Sequence, residues 1–264
     1  MELAGRRVLI TGASRGVGAA LAAAFTDAGS RVALVARSEA AIAELADRLG
    51  GAAYPADLAD RGQVRDLVAR VEADGGPIDV LVNNAGFEEA ADFARQNHDA
   101  IDAMIDVNLV AAVQLTRQVV PGMLERGAGH IVNISSMGAA SVFPGLAVYS
   151  ATKAGLSHFT AGLRADFRGR PIETTLVELG AVATEMLDSV KRFGPTLAAF
   201  DRAYGWHVFV DTSPERVAEA TIAAVCKGRR HVRLPTRAAL FPAIAELPRR
   251  LTEMLLTGAG AEIR

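Results

Sequence analysis

The feature that most constrains this chain is a repeat in its hydropathy, in which short runs of apolar residues alternate with longer stretches at helical spacing. Arg7–Ile10, Arg31–Ala36, Ala52–Ala56, Ile78–Val82, His130–Ile134, Glu173–Glu178 and His231–Leu234 read as strands. Most are continuously apolar, the pattern of strands covered on both faces. Between them lie Ala- and Leu-rich segments such as Val17–Ala28 and Ala40–Leu49. A strand, a helix and a parallel strand join by a right-handed crossover. The expected fold is therefore α/β, a doubly wound parallel sheet of about seven strands with helices on both faces. Stop and start signals agree with this frame. Asp60 with Gln63 has the form of a capping box, Ser213-Pro214 is an N-cap followed by a helix-opening proline, and Gly29 and Gly50 stand where helices should end. No repeat or interdomain linker interrupts the pattern, so 1–264 reads as one domain. From Ala183 to Asp211 the alternation breaks down, and this stretch reads as an excursion from the sheet.

Composition narrows the function classes. A net charge of −2 argues against a nucleic-acid binder. Cys226 is the one cysteine, which rules out an internal disulfide and fits a reducing compartment. It reads as a small apolar helix residue. The N-terminus runs directly into a strand-like segment without the pattern of a signal peptide, and no charge-free run reaches the roughly 18 apolar residues of a membrane span. The expectation is a soluble cytoplasmic protein without a metal centre. Lysine occurs only at Lys153, Lys191 and Lys227, so each stands out in an arginine-rich chain.

Between the first strand and the first helix lies Thr11-Gly12-Ala13-Ser14-Arg15-Gly16-Val17-Gly18. Glycines there let the backbone approach a pyrophosphate, and the helix N-terminus offers free N–H groups with a partial positive charge. The second strand ends Ala36-Arg37-Ser38, with no carboxylate to hold a ribose 2′-hydroxyl. Arg37 with Arg15 suits a 2′-phosphate instead, so NADP(H) is expected in preference to NAD(H). As a plainer alternative, Arg37 is a surface residue before a helix.

Tyr149-Ser150-Ala151-Thr152-Lys153 places a phenol and an ammonium one helical turn apart. A free tyrosine is too weak an acid to work as a base at neutral pH, and a neighbouring positive charge lowers its pKa.

At this point the chain resembles the short-chain dehydrogenase/reductase family, in its shorter single-domain type. The motifs are Thr11-Gly-x-x-x-Gly16-x-Gly18, Asn83-Asn84-Ala85-Gly86, Asn108 within a helix, Ser136 thirteen residues before Tyr149, and Tyr149-x-x-x-Lys153, in the family's order from residue 6 to about 184. The resemblance implies that Tyr149 exchanges a proton with a carbonyl or alcohol oxygen and that Ser136 polarises the same oxygen. It implies that Lys153 holds the nicotinamide ribose and lowers the Tyr149 pKa, and that Asn108 anchors a water relay. Gly12, Ser14, Arg15, Gly16, Val17, Gly18, Arg37, Asp57, Leu58, Asn84, Ala85, Gly86, Gly180, Val182 and Thr184 would contact the cofactor together with Tyr149 and Lys153. Asp57 can equally be a plain helix-start acid, and Asn108 a packing residue.

One position departs from the family. Its Pro-Gly after the sixth strand is Leu179-Gly180 here, which predicts a looser turn and weaker cofactor contacts. The stretch around 185–211 corresponds to a substrate lid. Met186, Leu187, Phe193, Leu197, Phe200, Tyr204, Trp206 and Phe209 would line a pocket for a bulky apolar carbonyl or alcohol, with Val142, Phe143, Pro144 and Leu146 as the other wall. An apolar tail at about 237–257 suits docking within an oligomer. The resemblance implies a homodimer or homotetramer built through the helices at 101–126 and 147–168. The alternative function is a catalytically silent NADP(H)-binding sensor.

Overall fold

A computed structural model of the chain describes residues 1–190, 192–207 and 210–238, together with 243, 244 and 247. Seven strands form one sheet: β1 (Arg7–Thr11), β2 (Arg31–Ala36), β3 (Ala52–Pro55), β4 (Val80–Asn83), β5 (Gly129–Ser136), β6 (Ile172–Leu179) and β7 (His231–Leu234). They lie in the order 3-2-1-4-5-6-7, and neighbouring strands are parallel. The helices are α1 (Gly16–Asp27), α2 (Glu39–Leu49), α3 (Arg61–Arg65), α4 (Leu67–Gly75), α5 (His98–Ile105), α6 (Ala111–Glu125), α7 (Ala147–Asp166), α8 (Glu185–Val190), α9 (Gly194–Gly205) and α10 (Pro214–Cys226).

Successive residues of one strand bury into opposite layers, which is why the strands read as unbroken apolar runs. Val8 and Ile10 of β1 pack with Leu21 and Phe25 of α1, Ile42 of α2 and Val217 of α10. Leu9 packs the other way, with Leu67 and Val71 of α4, Leu115 and Val119 of α6 and Leu163 of α7. Each such fully buried side chain stabilises the fold by roughly 1.5–3 kcal/mol.

The helix signals hold with one change of partner. Asp60 accepts from the Gly62 and Gln63 N–H groups, but Gln63 returns its Oε1 to the N–H of Asp57 at 2.9 Å, not to that of Asp60. Ser213 Oγ accepts from the Arg216 N–H at 3.2 Å, and Gly50 closes α2 in the left-handed conformation. β4 begins at Val80, later than expected, because the Ile78 N–H is taken by the Glu72 carboxylate at 3.0 Å.

The excursion after β6 is helical. Gly194-Pro195 reads as a break in the sequence, but the proline occupies the first turn of α9, where its missing N–H costs nothing. Lys191, Phe209 and nearly all of the expected tail at 237–257 lie outside the described residues. Among the described residues no helix is long and apolar enough to cross a membrane.

Candidate active site

Strand order reverses between β1 and β4, so their C-terminal ends open a crevice at the top of the sheet. The glycine turn lines it and is held by Asn84, whose Nδ2 donates to the carbonyls of Thr11 at 2.9 Å and Gly12 at 3.2 Å. Thr11 Oγ1 in return accepts from the N–H groups of Asn84 and Ala85 at 3.0 and 3.1 Å. There is no room for side chains in this clasp. A Cβ on Gly12 would fall 2.7 Å from the Ala85 Cα, and one on Gly18 would fall 2.2 Å from the Gly12 carbonyl oxygen.

Arg15 occupies the N-cap position of α1 without a capping side-chain bond, and no acidic residue stands in the first turn. The N–H groups at Gly16, Val17 and Gly18 thus face the crevice with the positive end of the helix behind them, an arrangement that fits a diphosphate. Ser14 is half-buried beside them, and Arg37 is exposed just beyond β2. The sequence suggests Arg15 beside Arg37, but its guanidinium pairs with Glu185, the first residue of α8.

Asp57 sits past the end of β3 and accepts the Ala59 N–H at 3.0 Å, with Leu58 buried next to it. Across the crevice, Val182 bridges to Thr212, and Thr184 Cγ2 stands 3.3 Å from where a Gly16 Cβ would be. Leu179 is not part of a loose turn, contrary to the expectation for Leu179-Gly180. It ends β6 with its side chain in the core, its carbonyl accepts from Ser136 Oγ at 3.3 Å, and the Gly180 N–H donates to Leu234 at 2.7 Å.

The reactive side chains come from β5 and α7. β5 runs on to Ser136, which places that hydroxyl at the strand's C-terminal tip. Lys153, in the second turn of α7, is buried and donates Nζ to the Ile134 carbonyl at 3.0 Å. Its ammonium lies 5.8 Å from the centroid of the Tyr149 ring. Burial pulls the Lys153 pKa down to about 8. Burial also pushes the Tyr149 phenol up, opposed by its hydrogen bond with Ser136 and reinforced by the negative charge of Glu88. The direction is opposite to the one expected from the lysine alone: desolvation is the largest cause, and the phenol is held protonated.

Asn108 occupies a π-helical turn, Asp106–Val110, between α5 and α6. Its amide grips both backbone groups of Phe87, accepting the N–H at 2.9 Å and donating to the carbonyl at 2.8 Å, and it also donates to Thr152 Oγ1 at 3.2 Å. A local widening of this kind is common at functional sites. Sequence reasoning missed Thr152, Ser135 and Glu88. Ser135 Oγ donates to the Lys153 carbonyl at 3.1 Å and so steadies α7. Only proximity to the motifs in the chain marked any of the three.

Leu146, Ala181, Leu187, Val190 and Phe200 form an apolar cluster beside Tyr149, with Phe143, Ala90 and Tyr204 packed on it. The rings of Phe143 and Phe200 are 5.2 Å apart. Of the residues expected to line a substrate pocket here, Met186, Leu197 and Trp206 are exposed instead, as is Val142 from the expected opposite wall. Helical periodicity explains the split, since only one side of α8 and α9 can face inward. A separate depression of about 400 Å³ lies on the outside of α5 and α7, between Phe93, Ile101, Ile105, Leu109 and Val148.

Comparison with known proteins matches residues 6–193 to a family described as short chain dehydrogenase. Ketoacyl reductase HetN of Nostoc is 35% identical over 229 residues, covering 84% of this chain and 76% of HetN. NADP-dependent 3-hydroxy acid dehydrogenase YdfG of Escherichia coli K12 is 35% identical over 216 residues, covering 81% of this chain and 86% of YdfG. Among solved structures, a short-chain dehydrogenase from Sphingobium yanoikuyae in complex with NADPH superposes with a TM-score of 0.79 at 28% identity, over 98% of each chain.

Proposed function

The chain belongs to the short-chain dehydrogenase/reductase family, and from that premise we propose that it is an NADP(H)-dependent oxidoreductase acting on a carbonyl compound or its secondary alcohol. The observation that carries the reading is the convergence of Ser136, Tyr149 and Lys153 beside the glycine cradle. The nicotinamide, when bound, supplies or takes up the hydride. The Tyr149 phenol, kept protonated by burial, gives its proton to the carbonyl oxygen in reduction and regains it in oxidation. Ser136 donates to the same oxygen and drains charge from it. Lys153 would hold the ribose hydroxyls of the cofactor, and its charge would favour Tyr149 as it becomes a phenolate. Asn108 fixes the loop above Lys153, and with it a water path from the ammonium to solvent.

The preference for NADP(H) rests on Arg37, just beyond a β2 end that lacks a carboxylate, with Arg15 of the glycine turn as a second guanidinium. The NADP dependence in YdfG's name and the NADPH in the Sphingobium complex support it. The apolar cluster beside Tyr149, built partly from α8 and α9, suits a neighbouring bulky ketone. The exposed apolar face of α5 and α7 suits a second copy of the chain.

The test is oxidation of NADPH against a panel of bulky ketones, with NADH in parallel and Tyr149→Phe beside wild type. Turnover that falls about a hundredfold or more in the variant supports the reading. Turnover that survives the substitution overturns the role of Tyr149, and tight cofactor binding without any turnover favours a sensor.

A further inference from the structure

The interface between β5 and α7 carries a buried polar seam next to the site. Asn133 and Ser135 alternate along β5 on the same side as Ile131, and Ser157 and Thr160 stand on the face of α7 that also carries Lys153. All four are buried. Asn133 Nδ2 donates to Thr160 Oγ1 at 2.8 Å, and Thr160 donates its own proton to the Leu156 carbonyl at 2.7 Å. Asn133 Oδ1 accepts from Asn83 on β4 at 2.8 Å, so the amide is anchored within the sheet as well as to the helix. Nearer the site, Ser135 Oγ donates to the Lys153 carbonyl at 3.1 Å. A hydroxyl has one proton to give, so the 2.8 Å bond between Ser135 and Ser157 is donated by Ser157.

We propose that Thr160 and Ser157 are positioning residues: their bonds to Asn133 and Ser135 fix the register of α7 on β5, and with it the place of Tyr149 and Lys153 relative to Ser136. This rests on the reading of Ser136 and Tyr149 as the groups that act on one carbonyl oxygen.

The surrounding interface is apolar, with Ile131, Leu163 and Phe167 buried in one cluster. Such contacts are non-directional and survive a small slide of the helix along its axis. The polar rungs do not. A hydrogen bond weakens steeply outside a narrow range of distance and angle, and a buried group that loses its partner has no water to turn to. The seam therefore favours one axial setting. Ser136 directly follows Ser135, and Lys153 and Tyr149 lie one and two turns before Ser157, so that setting reaches the reacting groups through little intervening chain. A displacement of about 1 Å between groups that must meet one oxygen is enough to cost about a hundredfold in rate.

The experiment compares Thr160→Val, which keeps the shape and loses the hydroxyl, with Thr160→Ser, which keeps the hydroxyl and loses a methyl. The measured quantity is kcat with NADPH and the ketone of the panel that wild type reduces fastest, per NADPH-binding site counted by fluorescence titration. Thr160→Val should lower kcat about tenfold or more with the NADPH dissociation constant unchanged, and Thr160→Ser should stay within about twofold of wild type. A role in packing alone predicts the reverse order, because only the serine leaves a cavity. A kcat in Thr160→Val equal to that of wild type overturns the proposal, as does a larger loss in Thr160→Ser than in Thr160→Val. If Thr160→Val fails to fold, Ser157→Ala removes the hydroxyl of the other rung: a lower kcat with intact NADPH binding supports the proposal, and an unmoved kcat overturns it. All of these outcomes leave the oxidoreductase reading standing. Bound NADPH with no ketone reduced by wild type removes that reading and the proposal with it.

Discussion

Arg15 and Glu185 form an ion pair that ties the glycine-rich turn to the first residue of α8. Both side chains are exposed, so the pair contributes little to stability. Its consequence is competitive, because Glu185 occupies a guanidinium that a 2′-phosphate would also engage. Glu185→Gln should tighten NADPH about threefold without changing NADH, and Arg15→Ala should weaken NADPH about tenfold, both effects shrinking in high salt. Fluorescence titration of the two cofactors measures this. Equal tightening of both would show that the 2′-phosphate is not the competitor.

Arg37 stands exposed just beyond β2, on the same side of the crevice. Arg37→Asp replaces the proposed phosphate ligand with an acceptor for a ribose hydroxyl, so NADPH affinity should fall about tenfold or more while NADH affinity rises. An unchanged NADPH dissociation constant would sink the assignment.

Lys153 links activity to stability with opposite signs. Its pKa falls from 10.5 to about 8 on burial, so the folded chain binds fewer protons than the unfolded one between those values. Stability therefore rises with pH across that window, and the burial penalty, of the order of 3 kcal/mol, is fully present below about pH 8. Lys153→Met should lose activity yet unfold at a higher denaturant concentration than wild type at neutral pH. The difference should close as pH approaches 10.5. A variant less stable than wild type at neutral pH would contradict this.

Two glycines separate steric from conformational need. Gly18→Ala forces a Cβ to 2.2 Å from a backbone oxygen and 2.6 Å from Asn84 Nδ2, with no flexible neighbour to yield. It should cost about 3 kcal/mol and weaken cofactor binding. Gly50→Ala meets nothing within 4 Å and only strains a left-handed φ of 64°. It should cost about 1 kcal/mol and leave binding intact. Thermal melts of both, with NADPH titration, test the contrast.

Assembly is the remaining expectation. Phe93 is 65% exposed and Ile105 36%, at the edge of the apolar depression on α5 and α7. If that face joins two copies, Ile105→Glu should convert a dimer or tetramer to monomer by light scattering. A monomeric wild type at micromolar concentration would remove the claim.

The sheet was legible in the sequence because continuous burial leaves a continuous apolar signature, as at Val8, Leu9 and Ile10. Tyr149 and Lys153 were legible because a phenol and an ammonium one helical turn apart have a chemical reason for that spacing, and Ser136 because its place before Tyr149 resembles the family's. The helices α8 and α9 were not, since Gly194-Pro195 carries the same letters whether it breaks a helix or starts one. The partner of Arg15 was hidden for a different reason. It lies 170 residues away, and no local pattern signals a contact made by tertiary approach. The upward shift of Tyr149 also needed the fold, because spacing reveals a neighbouring charge but not the loss of water around it.

The widened turn at Asp106–Val110 sets an angular phase. A π turn holds one residue more than the α-helical turn it replaces, and each residue advances a helix by about 100°. Met104 before it, Asn108 within it and Ala111 and Leu115 after it are all buried. Deleting Asp106, Val107, Leu109 or Val110 would leave the composition and propensity of the segment almost untouched. It would nonetheless swing Asn108 away from Phe87 and release the loop above Lys153. Alignment across this turn is thus a matter of counting, and a single-residue gap there should be as damaging as the loss of Asn108 itself.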